Sequence, residues 1–237
     1  MNTYDIMNLL KNNKYPGRGI VTGLDNSSNI VTAYFIMGRS ENSRNRIFVL
    51  DNNSLYTKAY DESKLKDPSL IIYRAIVPYK NYLIITNGDH TENILEGLKA
   101  NKPIYESLSV RKFEEDYPSN TPRISSLIEK KDNTFTYTMS ILKSYDGLAK
   151  QTGRYYYNYE PTKGIGHFIH TYDKDDNPLP TFSKEPEMIS IDLGIDEFST
   201  KLWNALDEDN KISLYVRYEN LETKKVEERL FNKNEVW

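Results

Sequence analysis

The 237-residue chain has no cysteine, three histidines and two tryptophans. Without cysteine there can be no disulfide and no thiolate nucleophile, and the composition suits a reducing compartment. His90, His167 and His170 leave little material for a zinc centre. His167 and His170 stand three apart in what reads as a strand, so they point to opposite faces and would not share a metal. An excess of positive charge is missing too: the formal net charge is -3, so no basic footprint argues for nucleic acid. No early apolar run has the length of a signal peptide, and no stretch could span a bilayer. The expectation is a soluble cytoplasmic protein that binds neither nucleic acid nor membrane. Repeats, low-complexity segments and an inter-domain linker are also lacking. That pattern predicts one domain over residues 1–237, with 1–14 as a helical extension docked on it.

Tyrosine is abundant, with 19 against 8 phenylalanines. Its apolar ring and polar tip suit half-buried strands and ligand pockets equally. The most informative stretch is 38–46, which lies between two apolar runs, 29–37 and 47–50. It holds Arg39, Arg44, Arg46, Asn42, Asn45, Ser40 and Ser43. Several guanidinium forks and small donors in one loop suit a phosphate or carboxylate. A solvated hairpin connection is an equally ordinary use of such residues.

Upstream, 5–11 reads as a short amphipathic helix with Thr3 as cap. Residues 15–19 form a Pro-Gly turn that opens the strand 20–24, with Arg18 between two glycines. Downstream, 52–66 is polar and reads as irregular. Residues 70–77 and 82–86 read as strands, the first carrying Tyr73 and the second ending at Asn87 and Gly88. Asp89, His90 and Thr91 are placed to cap a helix over 92–100, and Pro103 to start another over 103–111. A strand, glycine turn and helix in succession can offer backbone N–H groups to an anion. An acidic cluster, Glu114-Glu115-Asp116, then leads into Asn120-Thr121-Pro122-Arg123, where two prolines forbid a continuous helix. Taken alone it is a solvated charge run more often than a site. Residues 124–128 read as helix or strand. Further strands are expected at 135–142, 154–160, 164–172 and 188–193, a helix at 196–206 and a closing hairpin over 212–231. About ten strands joined by hairpin-like turns, with some four helices in pairs, disfavour a doubly wound parallel sheet. Two stacked, mainly antiparallel sheets with helices outside account for them better.

Tyr15-Pro16-Gly17-Arg18, Arg39-Ser40 with Arg44 following, Tyr73, Asn87-Gly88-Asp89-His90-Thr91 and Asn120-Thr121-Pro122-Arg123-Ile124 occur in this order. In this the chain resembles the archaeal-type IMP cyclohydrolase family, which has longer bacterial members. The resemblance implies an α+β fold, the four-layer αββα sandwich of the N-terminal-nucleophile hydrolases. It implies closure of 5-formamidoimidazole-4-carboxamide ribonucleotide to IMP with loss of water, with no cofactor and no metal, by a homo-oligomer. It also implies Tyr73, Glu114 and Arg39 at the reacting centre, with Glu115 or Asp116 as alternatives for the carboxylate. Substrate would be held by Arg18, Ser40, Arg44, Arg46, Asn87, Gly88, Asn120, Thr121 and Arg123. Amide-cleaving enzymes of that fold use the first residue of the mature chain as nucleophile. Here residues precede Tyr15 and the first strand residue after the turn is Ile20, so covalent catalysis is not expected. An amide hydrolase formed by chain cleavage, and a nucleotide-binding regulatory module without turnover, are the competing readings.

Overall fold

The computed structural model describes residues 3–64, 72–145 and 149–234. Helix α1 (Ile6–Asn12) precedes strands β1 (Arg18–Leu24) and β2 (Asn29–Met37). A one-turn helix, α2 (Glu41–Arg44), leads into β3 (Ile47–Asp51), β4 (Ser54–Lys58), β5 (Tyr73–Tyr79) and β6 (Tyr82–Thr86). Helices α3 (Thr91–Lys99) and α4 (Ile104–Ser107) precede β7 (Arg123–Lys131), β8 (Thr134–Ser144), β9 (Thr152–Tyr159) and β10 (Ile165–His170). The chain continues through β11 (Glu187–Ser190), α5 (Ile195–Ala205), β12 (Lys211–Asn220) and β13 (Val226–Asn232).

One sheet has the order β11-β10-β1-β2-β12-β13 and the other runs β3-β4-β5-β6-β7-β8-β9, antiparallel throughout. The period of two along each strand explains how they stack. On β1 and β2, Ile20, Tyr34 and Ile36 face the second sheet, where they meet Phe48, Ile85, Ile124 and Ile141. The alternate residues Val21, Ala33 and Phe35 face outward onto Ile6 and Leu10 of α1 and Phe198 and Leu202 of α5. The second sheet is likewise covered: Val77, Ile84 and Leu127 pack on Ile94 and Leu95 of α3 and Leu108 beyond α4. Because both faces of the central strands are covered, they read as unbroken apolar runs. Each buried Val, Leu, Ile or Phe among them contributes about 1.5–3 kcal/mol.

Several sequence expectations need correction. Residues 52–66 contain β4, whose Leu55 and Thr57 are buried while Tyr56 is half-buried. That alternation is real, but it is short and flanked by polar residues. Asp5, not Thr3, caps α1, its carboxylate accepting from Met7 N. Of the residues expected to cap α3, His90 does stand at the cap position, but it makes no side-chain bond to the helix. The helix expected over 103–111 shrinks to the single turn of α4; of the two readings of 124–128 the strand holds, as part of β7. Among the described residues there are thirteen strands, against the expected ten or so. The first two residues of the strand expected over 70–77 fall outside the described residues. Among the described residues no helix is long and apolar enough to cross a membrane.

Candidate active site

The inter-sheet layer opens at the end where β1 begins. Gly17, at φ +78°, packs so tightly that a Cβ there would lie 2.2 Å from Thr171 Oγ1. The turn is pinned from the same side: Arg18 N donates to Thr171 Oγ1 at 3.1 Å, and Thr171 Oγ1 donates to Pro16 O at 3.0 Å. Arg18 therefore enters β1 on the parity of Ile20, aimed between the sheets. Its register partner is Ile36, while Tyr34 pairs with Ile20, so Arg18 and Tyr34 share that face. From the opposite sheet comes Tyr73, at the start of β5. A bulge at Ala75, where Leu55 pairs Ile76 but Tyr56 pairs Arg74, puts Tyr73, Ala75 and Ile76 all in the inter-sheet core.

The arginine-rich stretch sorts its three arginines by capping and burial. Ser40 caps α2 in a reciprocal bond with Ser43. This holds the turn so that Arg46, 1% exposed, folds inward and donates to Ser43 O at 2.7 Å and Met37 O at 3.1 Å. Arg39 lies at the rim, bound to Asp175 Oδ1 at 2.7 Å and 5.0 Å over the Tyr15 ring. Arg44 is occupied elsewhere, donating to Gly38 O at 3.1 Å and Asn210 Oδ1 at 3.3 Å, and is outside the cleft lining.

The 113–123 segment separates its three carboxylates by geometry. Asp116 staples the loop, accepting from Thr121 N at 2.6 Å and from the Thr121 hydroxyl. Glu115 is exposed and lies 3.6 Å from Lys112 Nζ. Glu114 alone is buried with its carboxylate 3.8 Å from Arg123 Nη1, its backbone N–H donating to Thr121 O at 2.8 Å. Asn87 is a brace for this segment: its amide donates to Pro122 O at 2.9 Å and accepts from Ile124 N at 2.8 Å. Gly88 leaves room for Arg123, whose Nη1 would be 2.6 Å from a Cβ at that position. Arg123 donates to Asp89 Oδ1 at 2.7 Å. Asn120 is buried in the left-handed region at φ +43°, and its Oδ1 has no partner.

Arg18, Arg39, Ser40, Arg46, Glu114 and Thr121 line one cleft of about 300 Å³, with Tyr15 and Tyr172 stacked at 5.8 Å on its wall. Tyr73 and Arg123 are not in that lining, although both act electrostatically on Glu114 or Arg18. Arg123 instead lines an adjoining recess of about 590 Å³, which shares Glu114 and Asp116 with the cleft.

Desolvation, the largest influence, lifts Glu114 above the ordinary carboxylate value, while Arg18, Arg123 and Arg46 hold it back. Burial acts against the charge of Arg18, but Glu114 and the surrounding tyrosines outweigh it. Arg46 is lowered, by burial first and by Arg18 second. Burial raises Tyr73, with Arg46, Arg18 and the bond to Tyr34 opposing. Tyr34, Tyr172 and His90 escaped the sequence reading as site residues. Tyr34 sits in an apolar run, and its one signal is a hydroxyl there. Tyr172 OH meets Thr121 Oγ1 at 2.6 Å, a contact between segments 51 residues apart. His90 is fully buried, its Nε2 3.1 Å from Ile124 O and Nδ1 3.5 Å from Arg123, and burial then Arg123 lower it to about 3. No group of three or more His, Asp or Glu side chains among the described residues is arranged to hold a metal.

A polar cleft with the buried Arg46, the half-buried Arg18 and one underpaired carboxylate has the chemistry that suits a small anionic molecule. The profile of the family described as IMP cyclohydrolase-like protein matches residues 15–225, and the chain belongs to that family. It is 30% identical over 148 residues to IMP cyclohydrolase of Methanococcus maripaludis strain C7, covering 60% of this chain and 72% of that protein. The Methanococcus aeolicus IMP cyclohydrolase is 26% identical over 163 residues, 67% of this chain and 74% of the relative. That of Methanocella arvoryzae is 26% identical over 119 residues, 49% and 58% of the two chains.

Proposed function

We propose that this protein is an IMP cyclohydrolase, closing 5-formamidoimidazole-4-carboxamide ribonucleotide to IMP with loss of water. The observation that carries the reading is the burial of Glu114 within the fields of Arg18, Arg46 and Arg123, at the end of the sandwich where Tyr73 lies. Nucleophile and electrophile belong to one substrate molecule, so much of the catalytic task is orientation. Glu114 takes a proton from the carboxamide nitrogen as it attacks the formyl carbon; the raised affinity of a desolvated carboxylate makes it a better base. Tyr73 gives its proton to the formyl oxygen, and the arginines stabilise the negative charge that passes through the site. In the second half, protonated Glu114 delivers its proton to the departing hydroxyl, releasing water. Tyrosinate 73 then recovers a proton from the former formamide nitrogen, so both groups return to their starting states. Arg18 and Arg46, with Ser40 and Thr121, hold the phosphate or ribose end; Arg39 closes the rim. Arg123, set by Asp89, His90 and Gly88, holds Glu114 in place, and Asn87 and Asn120 shape its loop.

The order helix, sheet, sheet, helix supports reading the architecture as the αββα sandwich of the N-terminal-nucleophile hydrolases. The chain would act as one domain and as a homo-oligomer, for which exposed tyrosines such as Tyr105 and Tyr117 supply interface material. The test is the ultraviolet absorbance change when purified protein meets the formylated carboxamide ribotide in EDTA. IMP formation is expected. A protein that makes no IMP yet gains thermal stability from it would be a binding module.

A further inference from the structure

Two phenol hydroxyls meet inside the inter-sheet core. Tyr34 Oη and Tyr73 Oη lie 2.8 Å apart. Tyr34 is fully buried on the central strand β2, its ring stacked on Phe48 at 5.3 Å. Among the described residues its hydroxyl has no other hydrogen-bond partner. A phenylalanine would fill nearly the same volume, and burying a hydroxyl without a partner costs about 1–3 kcal/mol. The oxygen of Tyr34 therefore has one structural use, its contact with Tyr73. Tyr73 differs in keeping 6% exposure.

Only one of the two protons can occupy the shared bond. Were Tyr73 the donor, the Tyr34 proton would be left in an apolar core with no acceptor. With Tyr34 as donor, the proton left without a protein acceptor is that of Tyr73, the one of the two rings that keeps some exposure. We infer that Tyr34 is a positioning residue: it donates to Tyr73 Oη, leaves the Tyr73 proton for a cleft ligand and stabilises the tyrosinate formed when that proton departs.

The inference takes the acid role of Tyr73 from the proposed cyclohydrolase cycle. The Tyr73 proton goes to the formyl oxygen and is replaced from the ring nitrogen, while Tyr34 keeps its own proton throughout. The charges facing Tyr73 are Arg18 at the head of β1, Arg46 before β3 and Glu114 of the 113–121 loop. Tyr34 faces Tyr73, Arg18 and Arg46. Tyr215, its register neighbour on β12, is committed to Glu228 and takes no part. Burial raises both phenols and Arg18 and Arg46 lower both, while the shared bond raises Tyr34 and lowers Tyr73.

The experiment is a pH titration of the protein labelled at tyrosine Cζ with 13C, followed by NMR, with the Tyr73 signal assigned by its loss in Tyr73→Phe. In Tyr34→Phe the Tyr73 signal is expected to titrate at higher pH. The kcat should fall roughly tenfold, the size of one charge-assisted hydrogen bond, with KM within about twofold. An isosteric probe, 3-fluorotyrosine at position 34, is a stronger donor and should move the titration the other way, so the inference is testable even if Tyr34→Phe folds poorly. A Tyr73 titration indifferent to both substitutions would reduce Tyr34 to a packing residue. The NMR readout does not depend on turnover. Wild-type protein that makes no IMP would sink the proposed reaction while the titration still decides the hydrogen bond.

Discussion

Among the described residues two glutamates are buried beside cations, and the fold treats them in opposite ways. Glu219, on β12, receives Lys130 Nζ at 2.8 Å and Arg217 Nη1 at 2.6 Å, one on each carboxylate oxygen. Burial works against its charge, but those two bonds win and hold it below the usual carboxylate value. Glu114 is buried to a similar degree, yet its ion-pair contact is to Arg123 at 3.8 Å. There desolvation wins and the carboxyl rises. Meanwhile Arg18 Nε and Arg123 Nε are buried with no partner. A satisfied network stabilises the fold and has little left to offer a ligand. Underpaired donors and a desolvated acid are what a site retains for chemistry. The contrast supports the site proposed at the Arg18 end of the sandwich.

The sharpest way to break this contrast is to neutralise each glutamate. Glu114→Gln should lower kcat by about 10²–10⁴-fold, the usual worth of an acid–base group. It should leave KM within a few-fold and melting temperature unchanged or higher. A loss of stability with turnover intact would place Glu114 in the same class as Glu219. Tyr73→Phe should cost on the order of 10²-fold in kcat with the fold retained, checked by steady-state kinetics and circular dichroism.

Glu219→Gln should do the reverse. Denaturant unfolding should show a loss of about 1–3 kcal/mol, because Lys130 and Arg217 would be left without their carboxylate. Its kcat per folded molecule should not change. The pH dependence of stability separates the two further. Glu219, depressed in the folded state, stabilises above its ordinary 4.5 and loses that contribution as pH falls through the lower folded value. Glu114, raised, contributes most below 4.5 and loses that contribution as pH rises through its folded value. Relative to wild type, Glu114→Gln should therefore gain stability from pH 4.5 upward, and Glu219→Gln should lose it. Matching pH curves for the two variants would contradict the assignment.

The smallest effects are expected in the arginine loop. Arg39→Ala at the rim should raise KM by roughly 3–10-fold, in the range of a partly exposed charged contact, with a lesser fall in kcat. Arg44→Ala, whose guanidinium is spent on Gly38 and Asn210, should leave both constants within about twofold. A large effect of Arg44→Ala would mean that the cleft extends beyond its present lining.

Much of the architecture was legible in order along the chain. The apolar runs of β1, β2, β6 and β8 follow from covered sheets, and α5 from the helical spacing of Phe198, Leu202, Trp203 and Leu206. Strand β4 was hidden because Ser54–Lys58 is held by pairing to β3 and β5 rather than by its own hydrophobicity. The site was legible as residue types: arginines near 38–46, carboxylates near 114, a tyrosine at 73. By itself the sequence determined that these groups exist, that no thiol stands among them, and that the arginine cluster lies between two apolar runs. Tertiary structure alone decided which member of each cluster serves. Arg46 turns inward while Arg44 turns out, and Glu114 is desolvated while Glu115 stays in water. Tyr34, 39 residues from Tyr73 in the chain, meets it hydroxyl to hydroxyl. Burial and pairing arise from segments distant in sequence, and in a low-dielectric interior they set the charge and proton affinity of a side chain more strongly than its own chemistry does.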